Sequence, residues 1–576
     1  WHNLMAARLA RLLGADPSPY EKEAALIARG MRELLWQTDR GAFAEFKDLL
    51  GLQLVHPAAG LWSVYHTLDA GLVTPSEAWS LTRYVEREIP RLAVRGPGVP
   101  EGLSMYASSN WMPYTWSTNN VVMGECLHTA LGFWQAGRAD SAYDLARASL
   151  LASLYMGICP GNIGSMNYLD AYRGESQRDF ADGSGVFSRM LIEGLFGLSP
   201  DLLAGELAFT PGFPSSWDRA SLRHPGFALD FNRTGPVDTY RIDSRLARPV
   251  ALRLALPRRF AEASVTINGT PVIAKPDTDW REAPRLVATY PAATRFEISV
   301  RWSGAPVSPT PAPAFAPTPP SDIAAFVAPP APAAGARLEP VDLAPLFNDR
   351  VTAIFAPGKY RSPRSPHVSL AIPAQGIGAW AGHVNATAAI DDAGLRASAA
   401  KNGGLLALPS GVSFATPGPG DSPNVAFVSQ WDNYPRELRA PLSGRARRVH
   451  LLMAGSTNWM QSRLDNGEVL ATYADSSTAR LPLHNPTTWW PIDQDYFIDG
   501  HAFHRPEPTP LRVDLKTGLV RITTPADFAS KRTIIPGGAA TVLALPLDPA
   551  KELRSLTVRA LANEVVIGLM AATLER

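Results

Sequence analysis

GSMNYLDAYRGESQRDFADGSGVFSRMLIEGLFGL, residues 164–198, sets a polar, glycine-bounded loop directly against an apolar run. The loop gathers four carboxylates (Asp170, Glu175, Asp179 and Asp182), with Arg173, Arg178, Tyr168 and Tyr172 between them. The run from Val186 to Leu198 has the character of a helix built for burial, and Asp182 stands where its N-cap is expected. An acid-rich loop carried on a buried helix is the arrangement in which a rigid scaffold presents chemistry.

Upstream, the chain reads as helical to about residue 217. In SPYEKEAALIARGMRELLW, Ser18 is placed as N-cap, Pro19 as N1 and Glu21 as N3 of a capping box, followed by an apolar stripe at Ala24, Ile27, Met31 and Leu34. Thr74, Pro75 and Glu77 repeat the device. Further helices are predicted over LWSVYHTLDAG, over 117–135 and over 140–156, with Gly137 as a C-cap between the last two. With the segment before Gly14, roughly seven helices form hairpins. Tight turns alternate with long loops at 38–57, 91–115 and 158–184, which suggests a toroid whose long loops share one face.

Past Trp217 the period changes from helix to strand. Val250, Leu252, Leu254 and Leu256 alternate, as do Phe296, Ile298, Val300 and Trp302, and Asn268-Gly269 marks a hairpin. The expected organisation is a helical segment over 1–217, an antiparallel β-sandwich over 218–303, a Pro/Ala-rich linker over 304–336, and a second sandwich or jelly-roll module over 337–576.

WMPYTWSTNNVVMGECLHTALGFWQAG, the acidic loop, IEGLFGLSPDLLAGELAFTPGFPSSW and the strand opening LRHPGFALDF together resemble the closing part of six-hairpin, (α/α)6-toroid glycoside hydrolases. That clan includes α-rhamnosidases, glucoamylases and sugar phosphorylases, and the likeness points to a bacterial group within it. It covers about residues 1–300, and VAFVSQWDNYP and VHLLMAGSTN resemble jelly-roll modules appended to such enzymes. The resemblance implies a multidomain α and β protein: the C-terminal part of a toroid, then two antiparallel sandwiches. The helices read here make up about half of such a ring. The other half is therefore expected upstream of Trp1 or on another chain, possessing in several clan members the general acid. The chain starts at Trp1 without a charged n-region or apolar h-region, and reads as a mature, trimmed or fragmentary polypeptide. Export to the periplasm or medium is the implied location.

Glycoside hydrolysis needs one carboxyl to protonate the leaving oxygen and a second to act as base or nucleophile. By the resemblance, the base belongs in the 164–185 loop. Glu175, close to Gln177 and Arg178, ranks first and Asp179 next; Asp182 is a further catalytic candidate as well as the expected helix cap, and Asp170 is placed on a sugar hydroxyl. Glu45, between Phe43 and Phe46, is the expected proton donor, because apolar flanks raise a carboxyl pKa. Asp39 and Asp48 are its alternatives. Trp111, Tyr114 and Trp116 with Asn119 and Asn120 form an aromatic-amide lining suited to sugar rings, joined by Arg178. Asn119 and Asn120 are preferred to Glu125 as ligand contacts. Trp62, Tyr65, His66 and Asp69 share a helix face and are placed at the rim. Two other readings compete: a polysaccharide lyase working on a uronate through Tyr114, Asn110, His128 and Arg178, and a glycan-binding protein without catalysis.

The charges balance, 54 Lys and Arg against 53 Asp and Glu, so no nucleic-acid or membrane-surface partner is suggested. No stretch is apolar for long enough to span a bilayer. Cys126 and Cys159 lack spacing partners for a metal and read as small buried hydrophobes. In WWPIDQDYFIDGHAFH, Trp489, Trp490, Asp493, Asp495, Asp499, His501 and His504 read as a turn-rich edge, with Ca2+ on the Asp-x-Asp oxygens as the alternative. No cofactor is otherwise expected.

Overall fold

A computed structural model describes residues 1–49, 51–111, 120–157, 169–171, 175–176, 180–282, 284–308, 331–356, 389–430, 434–457, 461–493, 495, 510–521 and 535–576. These fall into two compact units. The first holds 1–45, 57–110 and 120–308, and the second holds 46–56, Trp111 and 331–576.

The first unit is organised by one helix. Seven helices are found among its described residues: α1 (His2–Leu12), α2 (Ser18–Leu34), α3 (Leu61–Asp69), α4 (Pro75–Glu88), α5 (Met123–Gln135), α6 (Ala139–Tyr155) and α7 (Asp182–Arg189). The sequence GECLHTALGFW makes α5 apolar nearly all round, so it is buried from Met123 to Trp134 and packs against α3, α4, α6 and α7. Small residues permit the close approach. A Cβ on Gly132 would stand 2.8 Å from Leu68 Cδ1, and one on Gly124 would stand 2.1 Å from Asp182 Oδ2. By contrast α2, amphipathic in sequence, has no buried residue.

The capping box at Thr74 and Glu77 forms as read, with Pro75 at the first helical position. The one predicted at Ser18 does not. That helix is capped by Pro17 without a side-chain bond, and Glu21 instead pairs with Arg11 across the turn between α1 and α2. Gly137 takes a φ of +80° between α5 and α6.

α7 continues into a π-helical turn, Met190–Leu195, and Gly197, at φ +66°, ends it. A Cβ there would meet Thr210 O at 1.9 Å, so only glycine fits. The two larger sheets of this unit therefore begin at Leu198, ahead of residue 218. One sheet orders Lys275–Asp277, Arg285–Ala293, Val250–Pro257, Glu206–Phe209 and Leu198–Asp201, with one parallel pair, Glu206–Phe209 on Val250–Pro257. The other orders Arg219–His224, Phe227–Thr234, Val237–Ser244, Arg295–Pro306, Phe260–Ile267 and Thr270–Val272. Asn268 and Gly269 both have positive φ, which closes the hairpin between Ile267 and Thr270. The alternating residues predicted to face inward, from Val250 to Leu256 and from Phe296 to Trp302, are all buried.

Among the described residues, the second unit is built on two larger antiparallel sheets, beside two short two-stranded ladders. Val565–Glu575 is flanked by Arg448–Thr457 on one side and by Ala426–Ser429 and Leu338–Pro340 on the other, with Ala539–Pro546 and Leu511–Asp514 beyond. The second sheet orders Glu437–Pro441, Leu553–Ala560, Asp465–Tyr473 and Thr478–His484. Val449, Leu451, Val469, Leu556, Val558 and Ile567 fill the layer between them. The opposite face of the first sheet is covered by a further core that includes Leu395 of α8 (Ala393–Lys401). Burial on both faces explains why VVIGLMAATLE lacks polar alternation. Trp489 and Trp490 belong to this interior, Asp495 pairs with Arg512 and Arg521, and Asp499, His501 and His504 lie outside the described residues. Most of the predicted linker also lies outside them.

Candidate active site

The site is assembled where α3, α5 and α7 meet in the first unit. Trp62, Tyr65, His66 and Asp69 follow one another at three- and four-residue spacing along one face of α3. Glu125 and His128 stand one turn apart on α5, and Asp182 opens α7.

Glu125 is the centre. The Tyr65 hydroxyl donates to its carboxylate through a short hydrogen bond. Burial, and next the charge of Asp182, push its pKa up to about 7, although the Tyr65 bond favours the ionised form. The Asp182 carboxylate rests over Gly124, the residue before Glu125, where a side chain would collide with it. Partial desolvation at that spot raises the Asp182 pKa, while the outer part of the residue stays open to solvent. Asp182 is the first residue of α7 rather than its cap. Its side chain is thereby released from capping and turned onto α5.

The remaining groups hold these two. His128 stacks on Tyr65, with ring centroids 4.0 Å apart and planes 18° apart. Its Nε2 lies 3.2 Å from Asp69 Oδ2. Asp69 also receives both guanidinium nitrogens of Arg189 at 2.6 Å and Gln135 Nε2 at 2.9 Å. Despite its burial, these donors hold the Asp69 carboxyl far below the usual carboxylate range. Arg189 in turn bonds Glu193 in the π-helical turn, at 3.0 Å. His66, exposed, lies edge-on to His128 at 5.6 Å. Desolvation, and next His128, lower its pKa. Burial and the Glu125 charge push the Tyr65 phenol far above its ordinary value, so it is a proton donor in hydrogen bonds and not a base.

The other predicted residues are distributed as follows. Glu45 is half-buried, and burial raises its pKa in the expected direction. Its oxygens, however, accept from Gly60 N (2.8 Å), Trp62 Nε1 (2.5 Å) and Ser63 Oγ (2.8 Å), which anchors the first turn of α3. Trp62 is thus engaged with Glu45. Asp170 is fully buried, and its Oδ1 accepts from Val121 N at 3.4 Å just ahead of α5. Its backbone pairs with that of Glu175 in a short two-stranded ladder, while the Glu175 side chain lies outside the described residues. Asn120 is buried, its backbone bonded to Ser108. Trp111 is fully buried in the second unit, with its ring 4.3 Å from His56, so it offers no open face to a sugar. Tyr114, Trp116, Asn119, Arg178 and Asp179 lie outside the described residues. Of the sequence candidates, Asp182 and His66 each lie near His128, and Trp62 and Glu45 are bonded to each other at the start of α3. Glu125, Tyr65, His128 and Asp69 are the members that the sequence reading set aside or placed at the rim. The Glu-x-x-His spacing directly after Gly124 was the available signal.

No family model matches the chain, and none of the curated proteins matches it. Solved structures that it resembles include glycoside hydrolases. An α-L-rhamnosidase from Dictyoglumus thermophilum aligns at 12% identity and a TM-score of 0.33 over 51% of this chain and 30% of its own. A structure described only as a glycoside hydrolase aligns at 9% identity and a TM-score of 0.20, over 52% of this chain and 55% of its own. A GH127 β-L-arabinofuranosidase from Geobacillus stearothermophilus T6 aligns at 12% identity and a TM-score of 0.19, over 49% of this chain and 51% of its own. The chain thus spans about a third of the first of these and about half of the other two.

Proposed function

We propose that the protein is a glycosidase that cleaves a glycosidic bond of an oligo- or polysaccharide by carboxylate acid/base catalysis, on helical hairpins corresponding to the closing half of a toroid. The observation that carries this reading is the pairing of Glu125 with Asp182. One carboxyl of the pair is pushed up to about 7, so a large share of it is protonated at neutral pH and available as a proton donor. The other stands beside it, partly open to solvent, as the partner that activates water or stabilises positive charge at the sugar. Tyr65 and His128 fix the orientation of Glu125, and Asp69 with Arg189 fixes His128. Inversion, exo action and an exported location are the finer parts of the proposal and rest on the sequence resemblance alone. Among the described residues, no helix is long and apolar enough to cross a membrane.

The test is hydrolysis of nitrophenyl glycosides and plant polysaccharides by the wild type and by Glu125→Gln. A loss of about 10²-fold or more is expected for the variant. A loss below tenfold removes Glu125 from the proposal, and proton NMR of the fresh product reads the stereochemical course. His128, shared with the lyase reading, lies in the same site. An unsaturated uronate product, seen by its ultraviolet absorbance, would replace hydrolysis by elimination.

A further inference from the structure

A cavity of about 310 Å³ opens in the first unit away from Glu125, where the turn into α6 meets the sheet residues Arg233, Tyr240 and Arg259. Its size suits a ligand no larger than a monosaccharide. Phe213 and Tyr240 supply aromatic surface, each stacked on Phe231 with centroids 4.8 and 5.0 Å away.

The polar groups on the wall are unevenly matched. The carboxylates are engaged. Asp238 Oδ1 takes Arg233 at 2.9 Å and Arg259 at 2.8 Å, and its Oδ2 takes Trp302 Nε1 at 2.9 Å. Glu282 is held by the buried Arg138 at 2.6 Å, and Asp140 Oδ1 accepts from Ser215 N at 2.7 Å. Donors are left over. Arg258 donates to the Ala261 carbonyl at 2.6 Å and makes no ion pair among the described residues. Tyr240, only 5% exposed, lines the cavity, and its phenol lies among the charges of Asp238, Arg233 and Arg259. α6 begins at Ala139, on the cavity wall, with no side chain capping it, because its N-cap residue is Arg138, whose guanidinium carries no acceptor and pairs with Glu86 and Glu282. The first-turn N–H groups of a helix have no acceptor within the helix and carry its positive dipole end.

We infer that this cavity binds a monosaccharide-sized ligand bearing a carboxylate, with the acid received by Arg258, the Tyr240 hydroxyl and the start of α6, and the ring set against Phe213. The inference is independent of catalysis at Glu125. The Tyr240 phenol and a guanidinium without an ion pair among the described residues line one cavity; an acceptor with negative charge matches them, and a neutral sugar leaves the guanidinium without a counter-charge.

The experiment is calorimetric titration of the full chain with sodium glucuronate and, separately, with glucose. Glucuronate is expected to bind, and glucose to bind at least about tenfold more weakly. Arg258→Ala and Tyr240→Phe should each weaken glucuronate by about tenfold, with the circular dichroism melt showing that they remain folded. Glu125→Gln should bind it like the wild type, which separates this site from the catalytic one. Absence of glucuronate binding, equal binding of glucose, wild-type affinity in both variants, or loss of binding in Glu125→Gln would each overturn the proposal. Should Arg258→Ala fail to fold, Tyr240→Phe, which removes one oxygen, decides alone.

Discussion

Glu125 shows how a single residue acquires a chemical role from its neighbours. An exposed glutamate titrates near 4 and is a poor acid at neutral pH. Here desolvation and the negative charge of Asp182 both disfavour its ionised form, while Tyr65 favours it. The signs give a prediction with opposite arms. If Glu125 is the proton donor, the rate falls as pH rises through about 7. Tyr65→Phe removes a donor to the carboxylate and should move that limb upward. Asp182→Asn removes a neighbouring charge and should move the limb downward in whatever activity remains. A pH–rate profile of the two variants on one substrate checks both, and shifts in the same direction would exclude the assignment. Asp69 is the reverse case. Its carboxyl is held low by His128, Arg189 and Gln135. A depressed folded-state pKa contributes stability that is complete above the ordinary carboxylate value near 4 and fades only as pH falls below it. Asp69→Asn should therefore cost about 1–3 kcal/mol at pH 7, reduced by the partial exposure of Arg189, and the difference from wild type should shrink in urea melts toward pH 3.

At the scale of elements, close approach is set by glycine. α5 meets α3 through Gly132 and α7 through Gly124. Gly124 lies in an ordinary helical turn, so alanine there would normally improve helix propensity. The Asp182 carboxylate over it reverses the sign. Gly124→Ala should destabilise the first unit by about 1–3 kcal/mol, read from a denaturant midpoint, and should lower activity further because Asp182 must move. Gly30 in α2 has nothing within 4 Å of its virtual Cβ, and Gly30→Ala should instead be neutral or stabilising by up to about 1 kcal/mol. The contrast between the two substitutions is the check, because helix propensity alone predicts the same sign for both.

At the scale of the whole molecule, sequence neighbourhood and structural unit part company. Residues 46–56 sit between α2 and α3 in the chain but belong to the second unit. There Asp48, 5% exposed, accepts from Asn563 N at 3.0 Å and Gln461 Nε2 at 3.2 Å, and Leu54 packs on the core between the two sheets. Asp48→Ala leaves those donors without an acceptor and should destabilise the second unit by about 1–3 kcal/mol. Hydrogen exchange should show the loss at Asn563 and the strand after it, with α5 unaffected. A loss of protection confined to the helices would contradict the division.

Local signals in the sequence were sufficient for the elements. Capping at Thr74, the αL glycine at 137, the Asn268-Gly269 turn and the alternation through Val250–Leu256 each act over a few residues, and each element forms where its signal lies. Asp182 was read as the cap of α7 but is the first residue of that helix, because capping depends on a φ,ψ pair that composition does not display. Glu125, Tyr65, His128 and Asp69 come from two helices separated by more than fifty residues, as the Tyr65–Glu125 bond shows. Whether a glutamate on an apolar helix faces water, an arginine or another carboxylate is fixed by which helix packs over it, and that choice belongs to the tertiary structure. Its sign of charge was written in the chain, whereas its proton affinity was decided by distance and exclusion of water.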